Sequence, residues 1–166
     1  MTSQKYQVPY SKSTLEFSIP SSMQATLAVS RPTRPVENVK SAILDALAHP
    51  IGSKPLRELL KSGDRVCIVF TDITRSSPDH LLVPAILNEL ELAGVRDEEI
   101  TLLCGTGMHR PSTRAEKEAK LGISVVERFH VIDNEPQNPA ALVDLGRTAT
   151  GVPVQLHRAA VEADLL

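Results

Sequence analysis

Two short apolar runs limit what this chain can fold into. Arg65-Val66-Cys67-Ile68-Val69-Phe70 and Ile100-Thr101-Leu102-Leu103-Cys104 carry almost no polar interruption. A strand with one face in water alternates polar and apolar residues. Near-continuous runs suit strands buried on both faces, as in a parallel sheet. Between them Leu82, Ile86, Leu90 and Ala93 recur at helical spacing, which predicts a helix over 79–93 stopped by Gly94. Strand, helix and strand make a βαβ unit.

The rest of the chain extends this pattern. Lys5–Pro9 and Thr14–Ile19 read as a strand pair, the second half-buried because Leu15, Phe17 and Ile19 alternate with polar residues. Residues 31–36, with Pro32 and Pro35, form a linker or turn. Val39, Ile43, Ala46 and Leu47 predict an amphipathic helix over 36–48, and Pro55–Leu60 a short one. Thr113 and Glu116 have capping-box spacing, so a helix starts there and stops at Gly122. A strand is expected within 123–133, a polar turn over 134–139, a strand over 152–156 and a helix around Ala159, Ala160 and Val161. The fold class is α/β: an open, mostly parallel sheet with helices on both faces (Rossmann-like), preceded by an N-terminal strand pair.

Composition narrows the function classes. A net charge of −2 with no Lys/Arg cluster argues against nucleic acid as the main partner. No apolar run approaches the roughly 20 residues of a membrane-crossing helix. No positively charged start precedes an apolar stretch, so a secretory signal is not expected. Cys67 and Cys104 both sit in apolar runs and read as core thiols of a cytoplasmic protein. The closing Val161-Glu162-Ala163-Asp164-Leu165-Leu166 reads as a helix end entering an apolar strand. The expectation is a piece of a larger protein: residues 1–166 as one N-terminal catalytic domain.

Two segments carry candidate chemistry. The first run leads into Thr71-Asp72-Ile73-Thr74-Arg75, the second into Gly105-Thr106-Gly107-Met108-His109-Arg110-Pro111. In an open parallel sheet, ligands bind beyond the carboxyl ends of the strands. Neighbouring strands would bring Asp72, Arg75, His109 and Arg110 around one crevice. Guanidinium groups suit a carboxylate or phosphate, and an imidazole can give or take a proton near neutral pH. Gly105 and Gly107 permit close backbone approach to an anion. The set points to a small anionic ligand and proton transfer. Each residue also has a plainer role open to it. G-T-G suits a tight strand-to-helix turn, Asp72 and Thr74 suit a cap, and Arg75 suits an ion pair with Asp72. His49, His80, His130 and His157 read as structural or solvent-facing, with His80 near enough to the crevice to support it. The sequence contains no H-E-x-x-H, C-x-x-C or G-x-S-x-G motif.

These segments resemble the nickel-dependent lactate racemase family. The resemblance rests on H-P-I-G-S-K-P-L-R-E-L at 49–59, G-D-R-V at 63–66, T-D-I-T-R at 71–75, G-T-G-M-H-R-P at 105–111 and V-E-A-D-L at 161–165. D-x-T-R together with G-T-G-x-H-R-P is the specific pair. The resemblance implies a two-domain α/β protein carrying a nickel pincer nucleotide tethered to a lysine. It implies racemisation or epimerisation of a 2-hydroxy acid through hydride abstraction, with histidines deprotonating the hydroxyl. His109 matches the first acid/base histidine. Asp72, Thr74, Arg75 and Arg110, with Gly105, Thr106 and Gly107, match the motifs lining the substrate and cofactor site. The second acid/base histidine, the anchoring lysine and the nickel-ligating histidine find no match within these residues, so this segment alone is expected to be inactive and its partner to be the missing C-terminal part. The alternatives are a small-anion or nucleotide-binding module without chemistry of its own, and an interaction half that folds against a partner domain.

Overall fold

The computed structural model describes residues 3–166, which divide into two compact units, one ending at Pro35 and one spanning Val36–Leu166. In the first, β1 (Ser3–Tyr10) and β2 (Ser13–Pro20) form an antiparallel hairpin with Tyr6 opposite Phe17. Their rings stack with centroids 5.9 Å apart. The alternation in β2 predicts a half-buried strand, yet Leu15 and Phe17 are exposed. A two-stranded ribbon has no second layer of its own to bury a face against.

The second unit runs in chain order α1 (Val39–Ala48), α2 (Leu56–Leu59), β3 (Val66–Phe70), α3 (Asp79–Leu92), β4 (Ile100–Cys104), α4 (Arg114–Leu121), α5 (Ile123–Arg128), β5 (His130–Asp133), β6 (Leu142–Arg147), β7 (Pro153–His157) and α6 (Arg158–Val161). Local chemistry sets several boundaries. The Asn38 side chain accepts from the Ser41 amide and caps α1. Thr113 and Glu116 close the expected capping box on α4. α3 runs unbroken through Pro84.

β3, β4 and β5 form a parallel sheet in that order, with Phe70, Cys104 and Asp133 at its carboxyl edge. This is the α/β architecture expected from the apolar runs. One face presents Val66, Phe70, Ile100, Leu102 and Cys104 to Val83, Leu87 and Leu90 of α3 and to Leu121, Val125 and Phe129. α6 packs close to β3 and β4, near Val66 and Thr101, while Val69 is 52% exposed. The chain also returns to β3, where Leu165 forms a parallel bridge with Val66 and its carbonyl accepts from the Cys67 amide at 3.0 Å. That bridge fits the strand start read in the closing residues. Both cysteines are buried thiols, as anticipated.

The structure corrects one element and adds another. Residues 123–128 are helical, and the strand begins only at His130. Ile123, Val125 and Val126 favour a strand by local propensity, but Leu121, Val125 and Phe129 follow the period of a helix and all three are buried. Packing outweighs propensity there. β6 has no counterpart in the sequence reading; it pairs antiparallel with β7 through an irregularity between Asp144 and Arg147.

Positions within the sheet differ in what they contribute. Leu102 has no exposed surface and Val69 has half of its own. Leu102→Ala lowers unfolding free energy by about 2–5 kcal/mol, and Val69→Ala by no more than about 0.5–1 kcal/mol, as read by chemical denaturation. Equal losses would mean that Val69 is packed as tightly as Leu102.

Candidate functional site

The site follows from strand geometry. Because β3 and β4 are adjacent and parallel, the loops after Phe70 and Cys104 leave the sheet at the same edge. The Gly105 amide donates to the Phe70 carbonyl at 2.8 Å, so pairing continues one residue past the strand ends. The two loops therefore start side by side.

Each loop is shaped by short-range hydrogen bonds. In the first, the Arg75 amide donates to the Asp72 carbonyl at 3.1 Å and closes a turn. The Thr74 hydroxyl and amide donate to Asp72 Oδ1 at 2.6 and 3.2 Å, a common Asx-type arrangement. In the second, the His109 amide donates to the Thr106 carbonyl at 3.0 Å. Gly107 has φ +59°, in the left-handed region where a side chain is strained. Thr106 is buried, and its hydroxyl donates to the Asn134 carbonyl. That hydroxyl thus holds the loop against the segment after β5.

The outcome is a direct contact between loops: His109 Nδ1 lies 2.5 Å from Asp72 Oδ2. Asp72 is buried, and the His109 side chain is 52% exposed. The His109 ring, then the Thr74 hydroxyl, holds the Asp72 carboxyl down to about 2. At neutral pH the carboxylate is ionised and can only accept, so Nδ1 carries the proton and donates. An imidazole held this way directs Nε2, its second nitrogen, outward, where it can exchange a proton with a ligand. His109 and Arg110 stand between two clefts. One, of about 280 Å³, is shared with Asp72, Thr74, Ser112 and Glu116. The other, of about 400 Å³, is bounded by Asn134–Asn138.

The remaining site residues separate into two kinds. Arg75 is exposed and has no ion-pair partner among the described residues; the plainer alternative, a pair with Asp72, does not form, and that carboxylate accepts from His109 and Thr74 instead. Arg110 is engaged: its guanidinium donates to both oxygens of Glu116 at 2.6 and 2.8 Å. That pairing, with the Thr113 backbone, holds the Glu116 carboxyl down to about 2. Gly105 is not sterically required, since an added Cβ would meet ordinary contacts at 3.5 Å. His49 pairs with Asp45, and His157 caps α6 by accepting from the Ala159 amide. His80 and His130 are exposed.

Sequence reasoning missed a second tier of residues. Lys120 and Asp79 form a buried ion pair beneath the first loop, and Lys117 and Asp133 a partly buried one beneath the second. One signal was present: Lys117 and Lys120 share a face of α4 with Leu121, the one large apolar residue of that helix.

Comparison with known proteins gives the family of the chain. Residues 10–166 match the family described as lactate racemase N-terminal domain. The lactate racemase of Thermoanaerobacterium thermosaccharolyticum is 30% identical over 162 residues, and that of Lactiplantibacillus plantarum 30% identical over 161. Each alignment covers 96% of this chain and 38% of the relative, so the chain spans about two fifths of the length of these enzymes. Among solved structures, the lactate racemase apoprotein from T. thermosaccharolyticum superposes with a TM-score of 0.76 at 30% identity, covering 98% of this chain and 38% of that one. A protein from Thermotoga maritima superposes with a TM-score of 0.59 at 25% identity over 72% of this chain and 30% of its own. The chain belongs to the lactate racemase N-terminal domain family.

Proposed function

We propose that this chain is the N-terminal catalytic domain of a longer racemase or epimerase of 2-hydroxy acids, to which it contributes one acid/base histidine. The observation that carries this reading is the Asp72–His109 contact at the mouth of two clefts. His109 Nε2 takes the proton of the substrate's 2-hydroxyl and returns it to the product. Asp72 is a positioning residue: it fixes the tautomer, orients the ring and stabilises the imidazolium while the proton is held. The guanidinium of Arg75, exposed and without an ion-pair partner among the described residues, receives the substrate carboxylate or an anionic cofactor group. Arg110, tied to Glu116, contributes charge at the rim. The turn from Gly105 to Gly107, held by the Thr106 hydroxyl on the Asn134 carbonyl, sets where the His109 segment leaves the sheet.

The family resemblance implies a nickel pincer nucleotide, which needs a metal donor and a lysine tether. Among the described residues no three His, Cys, Asp or Glu side chains gather as a metal site. The lysines beneath the loops, Lys117 and Lys120, are held in ion pairs. Lys117 and Lys120, engaged in these pairs, do not fit the tether role.

In the full-length protein matured with its cofactor, His109→Ala lowers kcat for interconversion of 2-hydroxy acid enantiomers by about 10²–10⁴-fold with unchanged thermal unfolding. Retained activity would count against the reading. If instead no 2-hydroxy acid is racemised, but lactate or phosphate binds and Arg75→Ala weakens the binding in calorimetry, the chain is an anion-binding module.

Asp72 also leaves a pH signature. Its folded pKa lies below the ordinary 3.8, at about 2. The stabilisation is therefore complete above pH about 4 and is lost as pH falls toward 2. Asp72→Asn flattens that acid limb of the stability profile. In the holoenzyme it lowers kcat, with KM changed less than about threefold. An acid limb that is identical in the variant would show that Asp72 has no such pairing.

A further inference from the structure

Helix α4 reaches both site loops from below. Lys120, with a side chain 7% exposed, places Nζ 2.7 Å from Asp79 Oδ2 and donates to the carbonyls of Arg75 and Ser77, each at 3.1 Å. Its three protons have three acceptors. Asp79, equally buried, also accepts from the hydroxyls of Thr71 and Ser77 at 2.6 Å. The loop that carries Asp72 is thus held at Thr71, Arg75 and Ser77 by one ion pair. Three residues earlier on the same helix face, Lys117 places Nζ 2.6 Å from Asp133 Oδ2. Asp133 Oδ1 accepts from the Ser112 amide at 3.1 Å, at the end of the loop that carries His109.

We propose that Lys117 and Lys120 are positioning residues that set the spacing of Asp72 and His109, with α4 as a common brace for the two loops. Lysines at i and i+3 on one helix keep a fixed separation, so the loops they grip cannot drift independently. The geometry favours this over a purely stabilising role. A buried ion pair adds little net stability over an apolar pair of similar volume. It does impose direction: an ammonium aimed at two carbonyls and a carboxylate defines where the backbone of Arg75 and Ser77 must lie. Ground-state contacts of this kind matter to a proton relay because misplacement by about 1 Å can cost 10²-fold in rate. The effect on rate rests on the racemase reading; the effect on geometry does not.

The test uses the full-length protein with ¹⁵N label at histidine, and reads the downfield Nδ1 proton of His109, assigned by its absence in His109→Gln. Lys120→Met alone leaves a buried, unpaired carboxylate and can unfold the domain, so it is paired with Lys120→Met/Asp79→Asn, which is neutral, keeps an acceptor for one of the Thr71 and Ser77 hydroxyls and offers an NH2 donor to the other. The double variant is expected to unfold at the wild-type temperature yet lose or broaden the His109 signal, and Lys120→Arg to retain it. Lys117→Met/Asp133→Asn is expected to do the same from the other loop. In the matured enzyme kcat falls about 10- to 100-fold with KM changed less than about threefold. A wild-type His109 signal that persists unchanged in both double variants, or that is absent in the wild type, overturns the proposal. A signal lost in the variants with racemisation unchanged upholds the brace and overturns the catalytic role of His109.

Discussion

The parallel pairing of β3 with β4 is the constraint on which the site depends. A parallel pair sends both chains out at the same edge, and the Gly105 amide extends the pairing onto Phe70. Asp72 and His109 are 37 residues apart in sequence yet in hydrogen-bond contact. An antiparallel arrangement of the same two strands would put their loops at opposite ends of the sheet. The apolar runs that make these strands bury on both faces therefore do more than build a core: they fix where the acid and the imidazole meet.

Around that contact, charge is distributed by burial. Asp72 is enclosed and accepts on both oxygens, so it stays ionised and directs the imidazole. His109 is half exposed, with its second nitrogen free to meet a ligand. Arg110 and Arg75 sit in adjacent loops, both exposed, and differ in pairing: one is consumed by Glu116, the other faces solvent. The helix that supplies Glu116 also supplies Lys117 and Lys120, so a single eight-residue element organises the rim and the underside of the site. Buried ion pairs are poor sources of stability but good sources of direction, which suits a site whose parts come from separate loops.

Most of the frame was legible from residue pattern. Periods of two and 3.6, the cap at Thr113, and Gly94 and Gly122 as stops follow local rules that the chain obeys. Reading failed where local preference and packing disagreed. Residues 123–128 look like a strand by side-chain type, yet Val125 and Phe129 continue the buried stripe of Leu121. β6 was silent because Leu142–Arg147 carries Asp144, Gly146 and Arg147 in a mostly exposed hairpin, with no apolar run to mark it. At the site, the motif residues were found, but their states were not. Which arginine is free, and that Thr106 spends its hydroxyl on Asn134, depend on partners distant in sequence.

By itself, the sequence determined the element types of the central unit, the two loops that carry chemistry and the family. These are set by local spacing, capping and motif. Only the tertiary structure decided that Asp72 holds His109 rather than Arg75, that Arg110 is already paired, and that Lys117 and Lys120 lie beneath the loops. The physical reason is competition. A carboxylate with several cations within reach along the chain pairs with the one that burial and backbone geometry bring to it, and that choice is made by the fold as a whole.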